Sequence, residues 1–208
     1  MSFAVPASLR HVPLHEIAPG TRLYRNHAIG FPGASFNPCK GAPTRFAPLT
    51  DPDGACIPSL YAATSFDGAA YETIFRGIPS PYAAIPRQDL DQRGVSVIRP
   101  ARPLRLVPFF SPELKGWKID PEQVFRAAAS VYPDCRALAA LAWREFDEAD
   151  GIVWASIRDS SARALLLFGD RIAPGDFDAE PPRSLANDPS LLDDFIRAGD
   201  RAGFRIAR

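Results

Sequence analysis

The chain has 208 residues, of which 46% are hydrophobic and 23% charged, as in ordinary globular proteins and unlike disordered or fibrous ones. Its 24 basic residues balance its 24 acidic ones, so no net field attracts nucleic acid or an anionic membrane surface. The longest strongly apolar run, residues 164–168, is far too short to span a bilayer, and the N-terminus lacks a secretion signal, so we expect a soluble, cytoplasmic protein without a membrane or direct nucleic-acid partner.

The first part of the chain predicts short strands separated by loops. Prolines punctuate residues 1–20, which indicates an extended segment, and residues 21–25 (TRLYR) are typical of a short strand. Residues 26–58 are dense in Gly and Pro and predict a long loop, a kind of segment that often carries function. A strand at residues 59–64 precedes a helix over residues 68–76, with Asp67 as its N-cap and Gly77 and Pro79 at its end.

The second part of the chain predicts paired strands with helices inserted between the pairs. Strands are expected at residues 95–98 and 104–107. Asp120 and Pro121 begin a helix that runs to about residue 131, and Pro133 begins another that runs to about residue 146. Two further strands, at 152–156 and 164–168, flank a polar connection, and a last helix spans residues 188–198. Because strands and helices do not alternate regularly, the pattern favours a single α+β domain over a doubly wound sheet.

The cysteines and histidines give no sign of a metal site. Cys39, Cys56 and Cys135 are an odd number at wide spacings, so we expect reduced structural thiols rather than a disulfide framework or zinc ligands. His11 and His15 have the spacing of a helical zinc pair, but the proline between them breaks the helix that such a pair requires.

Several common catalytic motifs are missing from the sequence. There is no Gly-x-Gly-x-x-Gly after a strand, no P-loop and no Gly-x-Ser-x-Gly elbow, which argues against a Rossmann site, a P-loop site and a serine hydrolase. What remains is a set of polar residues at the edges of apolar segments. These residues are Arg25, Arg45, Tyr61, Glu72 and Ser156. Taken singly, each of them also fits an ordinary structural role.

In their order, these residues resemble the RES toxins, a family named for an arginine, a glutamate and a serine. TRLYR supplies Arg25 and FNPCKGAPTRF supplies Arg45. LYAATSFDGAAYETIF supplies Tyr61 and Glu72, eleven positions apart as in the family pattern. DGIVWASIRDSSARALLLF supplies Ser156, although two serines at positions 160 and 161 (Ser160 and Ser161) are close enough to compete for the family's serine. The resemblance covers about residues 22–170.

The resemblance implies a fold similar to ADP-ribosyltransferases of the diphtheria-toxin type, with a split mixed or antiparallel sheet flanked by short helices. Together with the Pro-rich start and the last predicted helix, it leads us to divide the chain into an extended segment (1–20), a catalytic domain (21–175) and a helical extension packed on that domain (176–208). It also implies NAD as substrate, without a metal. Glu72 would then stabilise positive charge on the ribose, and the Tyr61 ring would face the nicotinamide. Arg25 and Arg45 would pair with the pyrophosphate, and Ser156 would bind ribose or the nicotinamide amide.

The leading hypothesis is therefore a toxin that transfers ADP-ribose from NAD to water or phosphate and so arrests growth. One alternative is mono-ADP-ribosylation of a protein acceptor, and another is a non-catalytic module that binds a partner. A metal-free ribonuclease is disfavoured because no basic stripe is present. The family further implies a cognate Xre-like antitoxin. Leu192 and Ile196 on the last helix are candidates for a homodimer contact or for burial against the chain's own core.

Overall fold

The computed structural model describes residues 3–76, 84–126 and 128–207. Its strands, numbered in chain order, are β1 (His15–Ile17), β2 (Leu23–Ala28), β3 (Leu49–Thr50), β4 (Cys56–Ile57), β5 (Ser59–Ala63), β6 (Ala84–Ile85), β7 (Arg93–Pro100), β8 (Leu104–Pro108), β9 (Gly151–Ala155), β10 (Arg163–Phe168), β11 (Phe177–Ala179), β12 (Arg183–Ser184) and β13 (Arg205–Ile206). Nine of them form one sheet, and the others make two small ribbons, β3 with β4 and β6 with β13.

The helices are short except for two. They are α1 (Phe66–Tyr71), α2 (Gln88–Asp91), α3 (Ser111–Gly116), α4 (Pro121–Phe125), α5 (Tyr132–Glu145) and α6 (Leu191–Arg201), with 3₁₀ turns at Ala129–Val131 and Pro174–Asp176. As the sequence predicts, Asp120 caps α4 by accepting a hydrogen bond from the backbone of Glu122. None of the helices in the described residues combines the length and the hydrophobicity that a membrane-spanning helix requires.

The large sheet is mixed and contains a split. Its strand order is β1-β8-β9-β10-β5-β2-β7-β11, with β12 also paired to β7. All neighbours are antiparallel except β8 and β9, which are parallel. Strands β2 and β5 share a single residue pair, Tyr24 with Ala63, whereas β2 pairs with β7 along its whole length. The two halves of the sheet therefore part between β2 and β5, and the predicted α+β class with a split mixed sheet is confirmed.

Both faces of the sheet are covered, which explains the unbroken apolar run in β10. Leu165 and Leu167 pack on one face with Leu60. Leu166 and Phe168 point to the other face, where α5 and the N-terminal segment cover them. A third cluster lies between α1, α6 and the β7 side of the sheet. Because successive strand residues face opposite sides, the register of these strands decides which side chains can meet at a site.

Several element boundaries differ from the sequence prediction. Residues 1–20, predicted as an extended segment, include the short strand β1, which pairs with β8. Helix α1 begins earlier and is shorter than predicted, since Ser65 rather than Asp67 is its N-cap. Asp67 instead pairs with Arg201 of α6. The predicted helix end at Gly77 and Pro79 lies outside the described residues.

The expectation that all three cysteines are reduced is wrong. Cys39 and Cys56 form a disulfide with a Cα–Cα distance of 6.0 Å, and Cys135 is free and buried. The long loop folds back on itself through the β3–β4 ribbon, in which Thr50 pairs with Cys56. Because the loop folds back, Cys39 and Cys56 come close enough to bond although they are 17 positions apart in the sequence.

The last helix starts three residues later than predicted and ends at Arg201. Phe195 and Leu191 are buried in the cluster beneath it. Leu192 and Ile196 are half-buried, and Leu192 packs against the same cluster. Part of the apolar side of α6 is thus used within the chain.

Candidate active site

Glu72 lies where α1 ends. The hydroxyl of Ser65 accepts a hydrogen bond from the backbone of Gly68 at 3.0 Å and so fixes the start of the helix. A Cβ added at Gly68 would lie 2.8 Å from the Ala162 side chain, so only glycine lets the helix approach the sheet this closely. Glu72 follows as the C-cap, and its side chain is 14% exposed. The short, closely packed helix therefore holds a carboxylate at a largely enclosed position.

Arg45 extends from the long loop toward this carboxylate. Its Nη1 lies 4.0 Å from Oε2 of Glu72, and its side chain is 9% exposed. Its Nη2 donates to the carbonyl of Phe125 at 2.8 Å. The guanidinium also lies over the rings of Phe125 and Tyr132, 5.9 Å from each centroid. Aromatic faces and a carbonyl thus hold the cation in place next to the acid.

Tyr61 of β5 holds the loop that carries Arg45 through hydrogen bonds of its hydroxyl. Its hydroxyl lies 2.9 Å from Oγ1 of Thr44 and accepts a hydrogen bond from the backbone of Phe46 at 3.1 Å. Its ring stands nearly perpendicular to that of Trp154, with centroids 6.2 Å apart. Burial raises the pKa of the Tyr61 hydroxyl, an effect that the hydrogen bond with Thr44 partly offsets. The hydroxyl therefore positions the residues on both sides of Arg45 and remains protonated at neutral pH.

Ser156 follows β9 on the same face of the sheet as Tyr61. The register pairs Leu166 with Tyr61, and Ala164 with Trp154, so all four side chains share this face, and Ser156 is two positions beyond Trp154. Ser156 is 2% exposed, and its Oγ has no hydrogen-bond partner among the described residues.

The two competing serines are placed differently. Ser160 and Ser161 are exposed in the connection that follows, where the Ser161 hydroxyl donates to Asp159. Of the three serines, only Ser156 is enclosed on the face that carries Tyr61.

Arg25 is placed apart from the other predicted residues. Because Tyr24 pairs with Ala63, Tyr24 shares the face of Tyr61, and Arg25 points to the opposite face. There its Nη1 donates to the carbonyls of Gly33 at 2.6 Å and Ser35 at 2.5 Å. Burial lowers the pKa of Arg25 to about 10.

The segment that Arg25 holds reaches across the split in the sheet. Asn37, just beyond Ser35, pairs with Ser59 of β5. In this structure Arg25 therefore braces the loop between β2 and β5, and does not contact Glu72.

Three further residues near the site were not found by sequence reasoning. The guanidinium of Arg76 lies over the Tyr132 ring at 5.1 Å, so Arg45 and Arg76 share one aromatic platform. Trp154 adds an indole nitrogen, and Asn26 of β2 adds an amide, both buried. Their positions carried a signal, since Arg76 comes four positions after Glu72. Asn26 directly follows Arg25, and Trp154 lies two positions before Ser156.

The site contains an unusual number of buried polar atoms without partners. Most buried polar groups in folded proteins are hydrogen-bonded. Within the described part of the chain, the side-chain atoms that are buried and unpartnered on or beside this face are Asn26 Nδ2 and Oδ1, Arg45 Nε, Arg76 Nη2, Trp154 Nε1 and Ser156 Oγ. The set contains four N–H donors, a hydroxyl and one amide oxygen, a combination suited to a polar, anionic ligand.

Two cavities lie away from Glu72. One of about 390 Å³ is lined by Val5, Thr50 and Trp143, and one of about 240 Å³ by Tyr24, Arg183 and other residues, but Glu72 lines neither. In the described part of the chain, no group of three or more His, Cys, Asp or Glu residues is placed to hold a metal ion.

Comparison with known proteins gives one family match and one structural match. The family model of the RES domain matches residues 14–187. A chain of the crystal structure of the M. tuberculosis MbcT-MbcA toxin-antitoxin complex has a similar fold, with a TM-score of 0.61 and 15% sequence identity over 86% of this chain and 91% of that chain. A search of curated protein sequences found no match. At 15% sequence identity, this similarity is evidence for the fold alone.

Proposed function

The chain belongs to the RES domain family, as its sequence blocks predicted, and from this premise we propose that it is the toxin of a toxin-antitoxin pair that cleaves NAD. The bond broken joins nicotinamide to ribose, and ADP-ribose passes to water or phosphate. The observation that carries the proposal is the enclosed pair of Glu72 and Arg45 beside Tyr61, surrounded by buried polar atoms that lack partners.

The chemistry asks for one fixed carboxylate. When the bond breaks, its electron pair goes to the pyridinium nitrogen, so nicotinamide leaves as a neutral molecule and needs no general acid. Positive charge develops on the ribose as an oxocarbenium ion. A carboxylate held in an enclosed position stabilises this charge more effectively than water does. Glu72 meets that requirement, because α1 fixes its backbone and its side chain is 14% exposed.

The acceptor then attacks the ribose carbon. Water or phosphate forms the new bond to this carbon, and an attacking water gives up its proton to solvent. Ser156 is not assigned as a nucleophile, since no general base is placed beside it among the described residues. Its unpartnered hydroxyl is suited to hold a ribose hydroxyl or the nicotinamide amide.

The neighbouring groups suit the rest of the substrate. The Tyr61 ring offers its face to the cationic pyridinium, an attraction of about 0.5 to 2 kcal/mol. Arg45 and Arg76, held on the Tyr132 platform, offer guanidinium donors for the pyrophosphate. We assign Arg25 a supporting role, because its guanidinium holds the loop at Gly33 and Ser35. Direct contact between Arg25 and NAD would require this loop to move.

The direct test measures nicotinamide released from NAD by the purified protein. Glu72→Gln keeps the size of the side chain and removes its charge, so release should fall by about a hundredfold to a thousandfold. Glu122→Gln is the matched control, because that carboxylate is 74% exposed in α4. No nicotinamide release by the wild-type protein, or equal rates for wild type and Glu72→Gln, would overturn the proposal. Radiolabel from the ADP-ribose part that stays on a protein band would identify a protein acceptor instead of water or phosphate.

The antitoxin partner is tested in cells. Expression of the chain alone should lower the NAD pool and arrest growth, and co-expression of the gene encoded beside it should restore both. Glu72→Gln expressed alone should leave the NAD pool unchanged. Growth arrest that precedes any fall in NAD would count against NAD cleavage as the cause.

A further inference from the structure

Asn26 is a buried amide that the fold leaves without partners. It follows Arg25 in β2 and points to the opposite face, the one that carries Tyr61. The residue is 8% exposed, and neither its Nδ2 nor its Oδ1 has a hydrogen-bond partner among the described residues. An amide enclosed in this way raises the free energy of the folded chain, because water would otherwise satisfy both atoms.

The split in the sheet explains why the amide has no partner. Asn26 pairs with Val95 of β7 on one side. On its other side, continuing the register of Tyr24 and Ala63 would place it opposite Tyr61, but β2 and β5 do not pair beyond that first residue pair. Asn26 and Tyr61 therefore lie on the same face of the sheet, on the two strands that border the split.

The partner of Asn26 in β7 links it to the helix that precedes Glu72. Val95 belongs to the cluster that also contains Ala70 and Tyr71 of α1, the helix that ends at Glu72. The amide thus lies under the helix that carries the acid and beside the strand that carries the tyrosine.

We propose that Asn26 recognises the carboxamide of the nicotinamide ring. The inference rests on the proposed NAD cleavage, which places that ring against Tyr61. A primary amide presents a donor and an acceptor side by side, and another primary amide is complementary to both. Asn26 can donate to the carboxamide oxygen and accept from its NH₂ group. A ketone in place of the carboxamide can only accept, and a carboxylate meets the Asn26 oxygen with a like partial charge.

The test compares NAD with its 3-acetylpyridine analogue, which has a methyl ketone in place of the carboxamide. Asn26→Leu removes both amide atoms and keeps a similar volume. It should lower kcat/KM for nicotinamide release from NAD by about tenfold or more and change kcat/KM for the analogue by much less. Because each substrate is compared between two proteins, the intrinsic reactivity of the leaving group cancels. Asn26→Ser gives the same comparison if the leucine variant does not fold.

A second readout is independent of catalysis. An unpartnered buried amide destabilises the folded protein by the free energy of removing it from water. An apolar side chain does not have this penalty, so Asn26→Leu should unfold at a higher temperature than the wild-type protein. A purely structural asparagine would give the opposite result.

The outcomes separate the two proposals. If Asn26→Leu lowers kcat/KM equally for NAD and the analogue, carboxamide recognition is overturned while NAD cleavage stands. If Asn26→Leu instead no longer distinguishes NAD from its hypoxanthine analogue, the Asn26 amide binds the adenine base, and carboxamide recognition is overturned. If the wild-type protein releases no nicotinamide from NAD, the proposed function itself fails before the variant is considered.

Discussion

Glu72 Oε2 and Arg45 Nη1 lie 4.0 Å apart, close enough for their charges to interact and too far for a hydrogen bond. The side chains are 14% and 9% exposed, so water screens the pair only weakly. Arg45 directs its hydrogen bond to Phe125 instead, and in the described part of the chain no side chain donates to the Glu72 carboxylate. A cation thus lies beside the acid without occupying its oxygens, which leaves them available to a substrate.

The two guanidiniums on the Tyr132 platform should matter for binding more than for the chemical step. We expect Arg45→Lys or Arg76→Lys to raise the KM for NAD by about tenfold to a hundredfold, because an ammonium cannot reproduce the planar donor fork at a diphosphate. The kcat should change much less. Steady-state kinetics of nicotinamide release measures both constants. Arg126→Lys is the control, since that side chain is 70% exposed. A KM unchanged in both variants would remove the arginines from the substrate site.

The two parts of Tyr61 can be separated by substitution. Tyr61→Phe leaves the buried N–H of Phe46 without its acceptor, so the free energy of unfolding should fall by about 1 to 3 kcal/mol. The ring remains, and kcat/KM for nicotinamide release should stay within a few-fold of the wild-type value.

Tyr61→Leu tests the ring itself. It removes the π-face as well, and kcat/KM should fall further, by the equivalent of about 0.5 to 2 kcal/mol. Urea unfolding and kinetics on the same samples check the two expectations. Equal kcat/KM values for the phenylalanine and leucine variants would show that the ring has no part in binding.

The disulfide should stabilise both the chain and the site. Cys39 and Cys56 are separated by 17 positions and enclose Arg45 in the loop between them. Restricting a loop of this length in the unfolded chain contributes about 3 kcal/mol. We therefore expect a reductant to lower the free energy of unfolding by about that amount, as measured in urea, and to lower nicotinamide release as Arg45 becomes less fixed.

The control for this effect is the Cys39→Ser/Cys56→Ser double variant. It should resemble the reduced wild-type protein and should not respond to reductant. If reductant destabilises the double variant as much as the wild type, the effect does not come from this disulfide.

The sequence predicted what depends on neighbouring residues and missed what depends on distant ones. The individual strands and the Asp120 cap were predictable because each depends on a few consecutive residues. Their pairing was less so: β9 pairs with β10, whereas β7 and β8 do not pair with each other. The face on which Arg25 lies depends on the pairing of Tyr24 with Ala63, 39 positions apart, which local patterns do not contain. The Cys39–Cys56 pair required the return of the loop through the β3–β4 ribbon. The split beside Asn26 begins where β2 and β5 stop pairing, and the sequence contains no local pattern that marks this point.

Stability should fall in mild acid because of His27. Its Nε2 lies 2.9 Å from the hydroxyl of Ser96, and its Nδ1 lies 2.9 Å from the carbonyl of Ala28. Burial lowers the pKa of His27 below its ordinary value of 6.5, and the charge of Arg25 lowers it further, although the Ala28 carbonyl opposes both. The unfolded chain therefore binds a proton at a higher pH than the folded chain does. The contribution of His27 to stability is complete above about pH 6.5 and is lost as the pH falls toward the folded-state pKa.

Urea unfolding at several pH values tests this linkage. The free energy of unfolding of the wild-type protein should decrease as the pH is lowered from about 7 to 5, and His27→Gln should flatten that decrease. The remaining slope should include His15, whose pKa burial also lowers. His11→Gln is the control, because that histidine is exposed and its ring stacks on Phe146. If His27→Gln and His11→Gln retain the same pH dependence as the wild type, His27 does not set the acid limit of the fold.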